Sequence, residues 1–166
     1  LADLDEIAAL PGKKILVRGN HDYWWQTLAK MTAATAGRLT FLHNTFAPAG
    51  EWGVCGSRGW LCPGDPAFAA ADEPIYLREL GRVRASLTAA RDAGFGRLIL
   101  MLHYPPRPGT GTSGFTDLMA EFGVAICVFG HLHNEGINCA ATGEFKGTTH
   151  YLVSCDALDF KLLQIV

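Results

Sequence analysis

A chain of 166 residues, 49% hydrophobic and 18% charged, is long enough to bury a sizeable core and reads as one globular domain over residues 1–166. Its formal net charge of −2 gives no long-range basic field for a nucleic-acid duplex. No apolar run approaches membrane-spanning length and no stretch reads as a secretory signal, so a cytoplasmic protein with no membrane partner is expected. The five cysteines (Cys55, Cys62, Cys127, Cys139, Cys155) are scattered without a Cys-x-x-Cys pair and read as buried reduced thiols.

Leu1 to Leu10 reads as a helix already under way, closed by Pro11-Gly12, so the chain is expected to begin in mid-domain. Lys14 to Val17 is a short apolar strand that stops at Gly19, and Asn20, His21 and Asp22 follow at once. Tyr23 to about Ala36 predicts a helix with Trp24, Leu28 and Met31 on one face, Asp22 at its N-cap and Gly37 as its stop. Leu39 to Leu42 and Trp52 to Ser57 read as strands that pair in a hairpin across a turn-rich Asn44 to Glu51. Gly59 to Pro74 is a loop longer than ordinary connections. Tyr76 to Ala93 is the clearest helix. Leu77, Leu80, Val83, Leu87 and Ala90 form its buried stripe, and Arg78, Glu79, Arg82 and Arg84 form its solvated face.

Leu98 to Leu102 has no polar alternation, which predicts a strand covered on both faces; it ends in His103. Tyr104 to Gly114, rich in proline and glycine, is a candidate active-site loop. Phe115 to Phe122 predicts a helix. Ala125 to Phe129 predicts another buried strand, running into Gly130-His131-Leu132-His133. Beyond Ile137 come short β-like runs, Ile137–Ala140, Phe145–Gly147, His150–Ser154 and Phe160–Val166, expected to be antiparallel. Strand–helix alternation followed by a β-rich tail is the pattern of a layered α/β sandwich.

Three strand ends therefore deliver imidazoles, and sites in open α/β sheets form outside the carboxyl ends of the strands. Imidazole suits zinc, iron, nickel and copper, and an amide oxygen extends the range toward manganese. Asn20, His103, His131 and His133 are the candidate ligands. A turn after Gly130 would let His131 and His133 diverge onto two adjacent ions. Two dications clamp a phosphoryl group and lower the pKa of a bridging water. His21, with Asp22 as orienting partner, would hold a proton for the leaving oxygen. A mononuclear zinc hydrolase on His103, His131 and His133 is a further reading. His43 and His150 read as structural, the four tryptophans as packing, and Arg58 as a surface ion-pair partner rather than a substrate contact.

Gly19-Asn20-His21-Asp22, His103 and Gly130-His131-Leu132-His133 resemble the ordered motifs of the calcineurin-like metallophosphoesterase superfamily. Arg18-Gly-Asn-His-Asp-Tyr-Trp-Trp25, Gly59-Trp-Leu-Cys-Pro63, His103-Tyr-Pro-Pro106 and Tyr151-Leu-Val-Ser-Cys-Asp156 carry a further likeness to an uncharacterised bacterial group within it. The resemblance implies a four-layer αββα sandwich of mixed sheets with two divalent ions (Mn, Fe, Zn or Ni) at the strand ends. It implies Asn20, His103 and His131 on one ion and His133 on the other, with catalytic His21 against the phosphate and Asp22 holding it. The activity implied is hydrolysis of a phosphate mono- or diester by a metal-activated hydroxide.

The family's upstream Asp-x-His and Gly-Asp pair are not found before Gly19, so a missing N-terminal strand is expected. Two +2 ions about 3.7 Å apart repel by on the order of 18 kcal/mol at an effective dielectric near 20, which a bridging carboxylate must offset. Without that carboxylate the chain is expected to hold one metal weakly or none, with little or no activity of its own. The alternative is a non-enzymatic binding module on the same fold.

Overall fold

The computed structural model describes residues 2–166. In chain order the elements are α1 (Ala2–Ala9), β1 (Lys14–Val17), α2 (Leu28–Ala34), β2 (Leu39–Leu42), β3 (Phe46–Ala49), β4 (Trp52–Ser57), α3 (Glu73–Asp92), β5 (Arg97–Leu102), α4 (Gly114–Phe122), β6 (Ile126–Phe129), β7 (Gly143–Phe145) and β8 (Thr148–Leu152). Short 3-10 turns precede α3, at Ala70–Asp72, and follow β6, at Asn134–Cys139. The expected first helix is present from Ala2; Leu1 lies outside the described residues.

The strands form two sheets. β1 and β2 make a parallel pair, and the other six run in the order β3-β4-β5-β6-β8-β7. Within the larger sheet β4, β5, β6 and β8 are mutually parallel, and β3 and β7 close its edges antiparallel. The layers follow from alternation along the strands. Leu16, Leu39 and Phe41 face Leu4, Ala8, Met31 and Trp25 from α1, α2 and the loop before α2. Val17 and Leu42 turn the other way, onto Val54 and Met101 of the large sheet. The opposite face of that sheet, with Cys55, Leu98, Leu100, Cys127 and Phe129, packs on α3 and α4 through Val83, Leu87, Phe115 and Met119. The result is a mixed α/β protein layered helix–sheet–sheet–helix.

The two sheets press together at Gly56. A Cβ there would lie 2.8 Å from Val17 Cγ1, 2.9 Å from the Met101 carbonyl oxygen and 3.2 Å from Leu42 Cδ1. Only glycine permits that approach.

Several expectations need correction. Helix α2 covers Leu28–Ala34 rather than Tyr23–Ala36, and its N-cap is Thr27, whose Oγ1 accepts from the Lys30 N–H at 3.4 Å. Residues 23–24 form a turn and 25–26 are irregular, with the Tyr23 N–H on the His21 carbonyl at 2.9 Å and the Trp25 N–H on the Asp22 carbonyl at 3.1 Å. This stretch aims Trp25 edge-on into Phe41, ring centroids 5.1 Å apart, and leaves Tyr23 and Trp24 exposed. β2 is not the hairpin partner of β4. It pairs parallel with β1, and β4 pairs with β3, which lies inside the stretch read as turns. Pro48 is tolerated in β3 because that strand is an edge.

The buried side of α3 is set by Tyr76, Glu79, Val83, Ser86, Leu87 and Ala90, and Leu77 is exposed. Tyr76 is drawn in because its hydroxyl accepts the Gly114 N–H at 2.7 Å. Glu79 is drawn in by polar partners described below. Of the expected run Ile137–Ala140, Ile137 to Cys139 belong to a 3-10 turn that Ala140 caps; Phe160–Val166 has no strand, and β8 runs parallel to β6. All five cysteines are free, but Cys139 and Cys155 are exposed. No helix among the described residues is long and apolar enough to cross a membrane.

Substituting Gly56→Ala should lower stability by about 1–3 kcal/mol through overpacking between the sheets. Gly81→Ala, where a Cβ on α3 meets nothing within 4 Å, should raise it by ~0.5–1 kcal/mol. Urea denaturation of both variants measures the contrast, and a neutral Gly56→Ala would show that the sheets are not closely apposed there.

Candidate metal centre

The side chains singled out by the motifs converge at the carboxyl ends of β1, β5 and β6. Gly19, Asn20, His21, Asp22, His103, His131 and His133 line one cavity of about 310 Å³ with Val17 as its floor. Gly19 makes this possible, since a Cβ there would meet His103 Cε1 and Asp22 Oδ2, both at 3.3 Å. Asp22 does not hold His21. Its Oδ2 accepts the Gly19 N–H at 2.6 Å and so pins the loop that carries Asn20 and His21. His21 is exposed at the rim, edge-on to Tyr23 at 6.1 Å between ring centroids.

His103 Nε2 lies 2.7 Å from Asn20 Oδ1 and 3.1 Å from His131 Nδ1. A neutral imidazole brings at most one proton to that nitrogen, and one proton cannot be aimed fully at both neighbours. At least one of the two close contacts is thus left without a well-aimed proton, an arrangement a cation would relieve. Both rings are kept neutral. Burial pushes His103 down to about 4, helped by His131 and Arg58 and opposed by Asp22. Burial, then His133 and His21, lowers His131. The donor set of one amide oxygen and two neutral imidazoles fits a borderline divalent ion.

The Gly130 turn sends the two last histidines apart, as expected. His131 adopts φ of 72°, an uncommon conformation for a residue with a side chain, and the Leu132 N–H returns to the Gly130 carbonyl at 2.9 Å. His131 then stacks on Tyr104 with centroids 4.2 Å apart. His133 lies further out, its side chain 51% exposed, with Nδ1 2.8 Å from Asp156 Oδ1. That contact makes Nδ1 the protonated nitrogen and leaves Nε2 with a free lone pair, the usual support for a ligating histidine. Asp156 is fixed in turn by the Asn134 N–H at 2.9 Å, and this bond with the His133 contact holds its carboxyl below the usual range. His133, Cys155 and Asp156 bring ligand-type atoms within 4.8 Å of one another.

Asp156 escaped the sequence reading, although it stands just beyond the carboxyl end of β8, where the rule used for the other strands would have placed it. Tyr104 does flank the site. Arg58 is not a surface residue: it stacks over Trp60 at 4.3 Å and lies 3.7 Å from the buried Glu79. Its carbonyl accepts the His103 and Tyr104 N–H groups at 2.9 and 3.0 Å.

A sequence model described as calcineurin-like phosphoesterase matches residues 2–135, and the chain belongs to that family. The family comprises phosphoesterases, generally hydrolases that bind divalent metals. Comparison with curated proteins and with solved structures gave no match.

The neutral burial of His103 has a pH signature. Folded, it stays unprotonated to about pH 4; unfolded, it takes a proton near 6.5. The unfolded state therefore binds more protons below pH 6.5, and stability should fall from there to about pH 4 and then level off. Denaturation of chelator-treated protein across that range should show a shallower decline for His103→Gln, and an unchanged slope would refute the assignment.

Proposed function

We propose that this chain's fold carries a metal-dependent phosphoester hydrolase centre. Asn20 Oδ1, His103 Nε2 and His131 Nδ1 would hold one divalent ion, weakly where no carboxylate bridges it to a neighbour, and His133, steadied by Asp156, would offer one ligand to a second. Bound there, divalent ions supply Lewis acidity toward a phosphoryl oxygen and acidify water. The observation that carries this reading is the meeting of the Asn20, His103 and His131 donor atoms at 2.7 and 3.1 Å inside one cavity.

The chain's own groups have separable tasks. His21, exposed at the rim and outside the proposed ligand set, would hold the proton that the departing alkoxide takes. Asp22 acts on it indirectly by tying the loop to the Gly19 N–H. Tyr104 packs against the His131 ring and would support that imidazole from one side. Asp156 fixes the tautomer of His133. The rim is open, so it sets no preference between phosphate mono- and diesters.

The test is turnover of 4-nitrophenyl phosphate by the full chain supplied with Mn²⁺, alongside metal content by elemental analysis. His21→Ala should reduce kcat by about 10²–10⁴-fold with metal content near that of the parent, and His103→Ala should lose metal and activity together. Stoichiometric metal with no turnover would favour a binding module, and metal loss in His21→Ala would make His21 a ligand.

A further inference from the structure

The chain carries a net charge of −2, yet five of its 14 Lys and Arg residues line one cavity of about 660 Å³. These are Arg18, Lys30, Arg58, Arg78 and Arg82, and the one carboxylate in the lining is Glu79. Glu79 offsets one of these five charges and no more. Its side chain is 0% exposed and is spent on the Ser57 hydroxyl and the Arg82 guanidinium, with Arg58 at 3.7 Å. Among the described residues Arg18, Lys30 and Arg78 form no ion pair. The Nε atoms of Arg18 and Arg58 are buried with no hydrogen-bond partner. Converging like charges and unpaired buried donors are both costly, and an anion answers both.

The cavity adjoins the candidate metal centre. Arg18 sits between β1 and Gly19, and Arg58 follows β4 and holds the His103 and Tyr104 backbone N–H groups on its carbonyl. The same edge of the sheets thus carries neutral imidazoles at one place and guanidiniums next to it. Planar guanidinium forks match phosphate oxygens in bidentate fashion.

We propose that this cavity is a second anion subsite of the substrate: the phosphoester carries, besides the group hydrolysed, a further phosphate or polyphosphate group held by Arg18, Arg58 and Arg78 with Lys30. The substrate class is a small molecule with at least two phosphate groups. The assignment rests on the hydrolase reading above, but the anion site itself is tested apart from it.

Sodium tripolyphosphate is titrated calorimetrically into the full chain in the presence of a chelator, with inorganic phosphate in a parallel run. Tripolyphosphate should bind one per chain and at least tenfold more tightly than phosphate. Lys30→Ala/Arg78→Ala, at two exposed positions, should weaken it at least tenfold, and His131→Ala should change it less than twofold. No binding, or binding lost in His131→Ala and indifferent to the double variant, would overturn the site. With Mn²⁺ restored and kept in excess over tripolyphosphate, tripolyphosphate should compete with 4-nitrophenyl phosphate in the parent and do so at least tenfold less well in the double variant. Inhibition that is not competitive would make the cavity an effector site and overturn its role as a subsite. Tripolyphosphate binding without any turnover would sink the hydrolase reading and leave the anion site standing.

Discussion

The contact between Asn20 and His103 crosses from one sheet to the other, and the site exists only because the sheets are held in one relative position. Asn20 follows β1 of the two-stranded sheet, and His103 follows β5 of the six-stranded one. What sets their separation is the apposition at Gly56, where Val17 and Leu42 of the small sheet reach the backbone of the large one. The strands are short, and a slip of one residue would turn Val17 to the outer face and Asn20 with it. Parallel pairing does the rest, because β1, β2, β4, β5, β6 and β8 all discharge their carboxyl ends toward one edge.

The centre is electrostatically uneven. His103 and His131 are half-buried, touch each other and are held neutral, which makes them lone-pair donors at neutral pH. Arg58 pushes His103 in the same direction as burial, and Asp22 is the opposing charge. His133 is open to solvent and is organised by a carboxylate instead. One half of the site therefore depends on exclusion of water, the other on a hydrogen bond from its neighbour. The backbone linking the two halves turns in the left-handed region at His131 and again at Asn134, in both cases with a side chain in place.

Strand ends were the most legible feature of the sequence. Apolar runs that stop at Gly19, His103 and Gly130 place their polar successors at one edge whatever the details of pairing, so the candidate ligands could be named before their geometry was known. What could not be read was pairing and the exact phase of the helices. Phe46–Ala49 hid as turn because Pro48 is permitted only by its edge position, a property of the finished sheet. The helix expected from Tyr23 placed Trp24 on its buried face, whereas the turn there buries Trp25 against Phe41 and leaves Trp24 exposed. Asp22, a sound cap by residue type, found a nearer donor in Gly19.

Glu79 is the most instructive miss. A charged residue among Arg78, Arg82 and Arg84 reads as solvated surface, yet its side chain is wholly buried. Burying a carboxylate costs several kcal/mol unless charge-assisted hydrogen bonds replace its water. Here a hydroxyl from the end of β4 and a guanidinium one turn along α3 do so. Ion pairs of this kind add little net stability; what they do add is position. With Glu79 at their centre, Arg58 and Arg82 are drawn together from a strand end and a helix that have no other reason to present cations to the same space. The organisation is already made before any ligand arrives, so an anion entering the cavity meets guanidiniums whose rotamer freedom has been spent in folding rather than in binding.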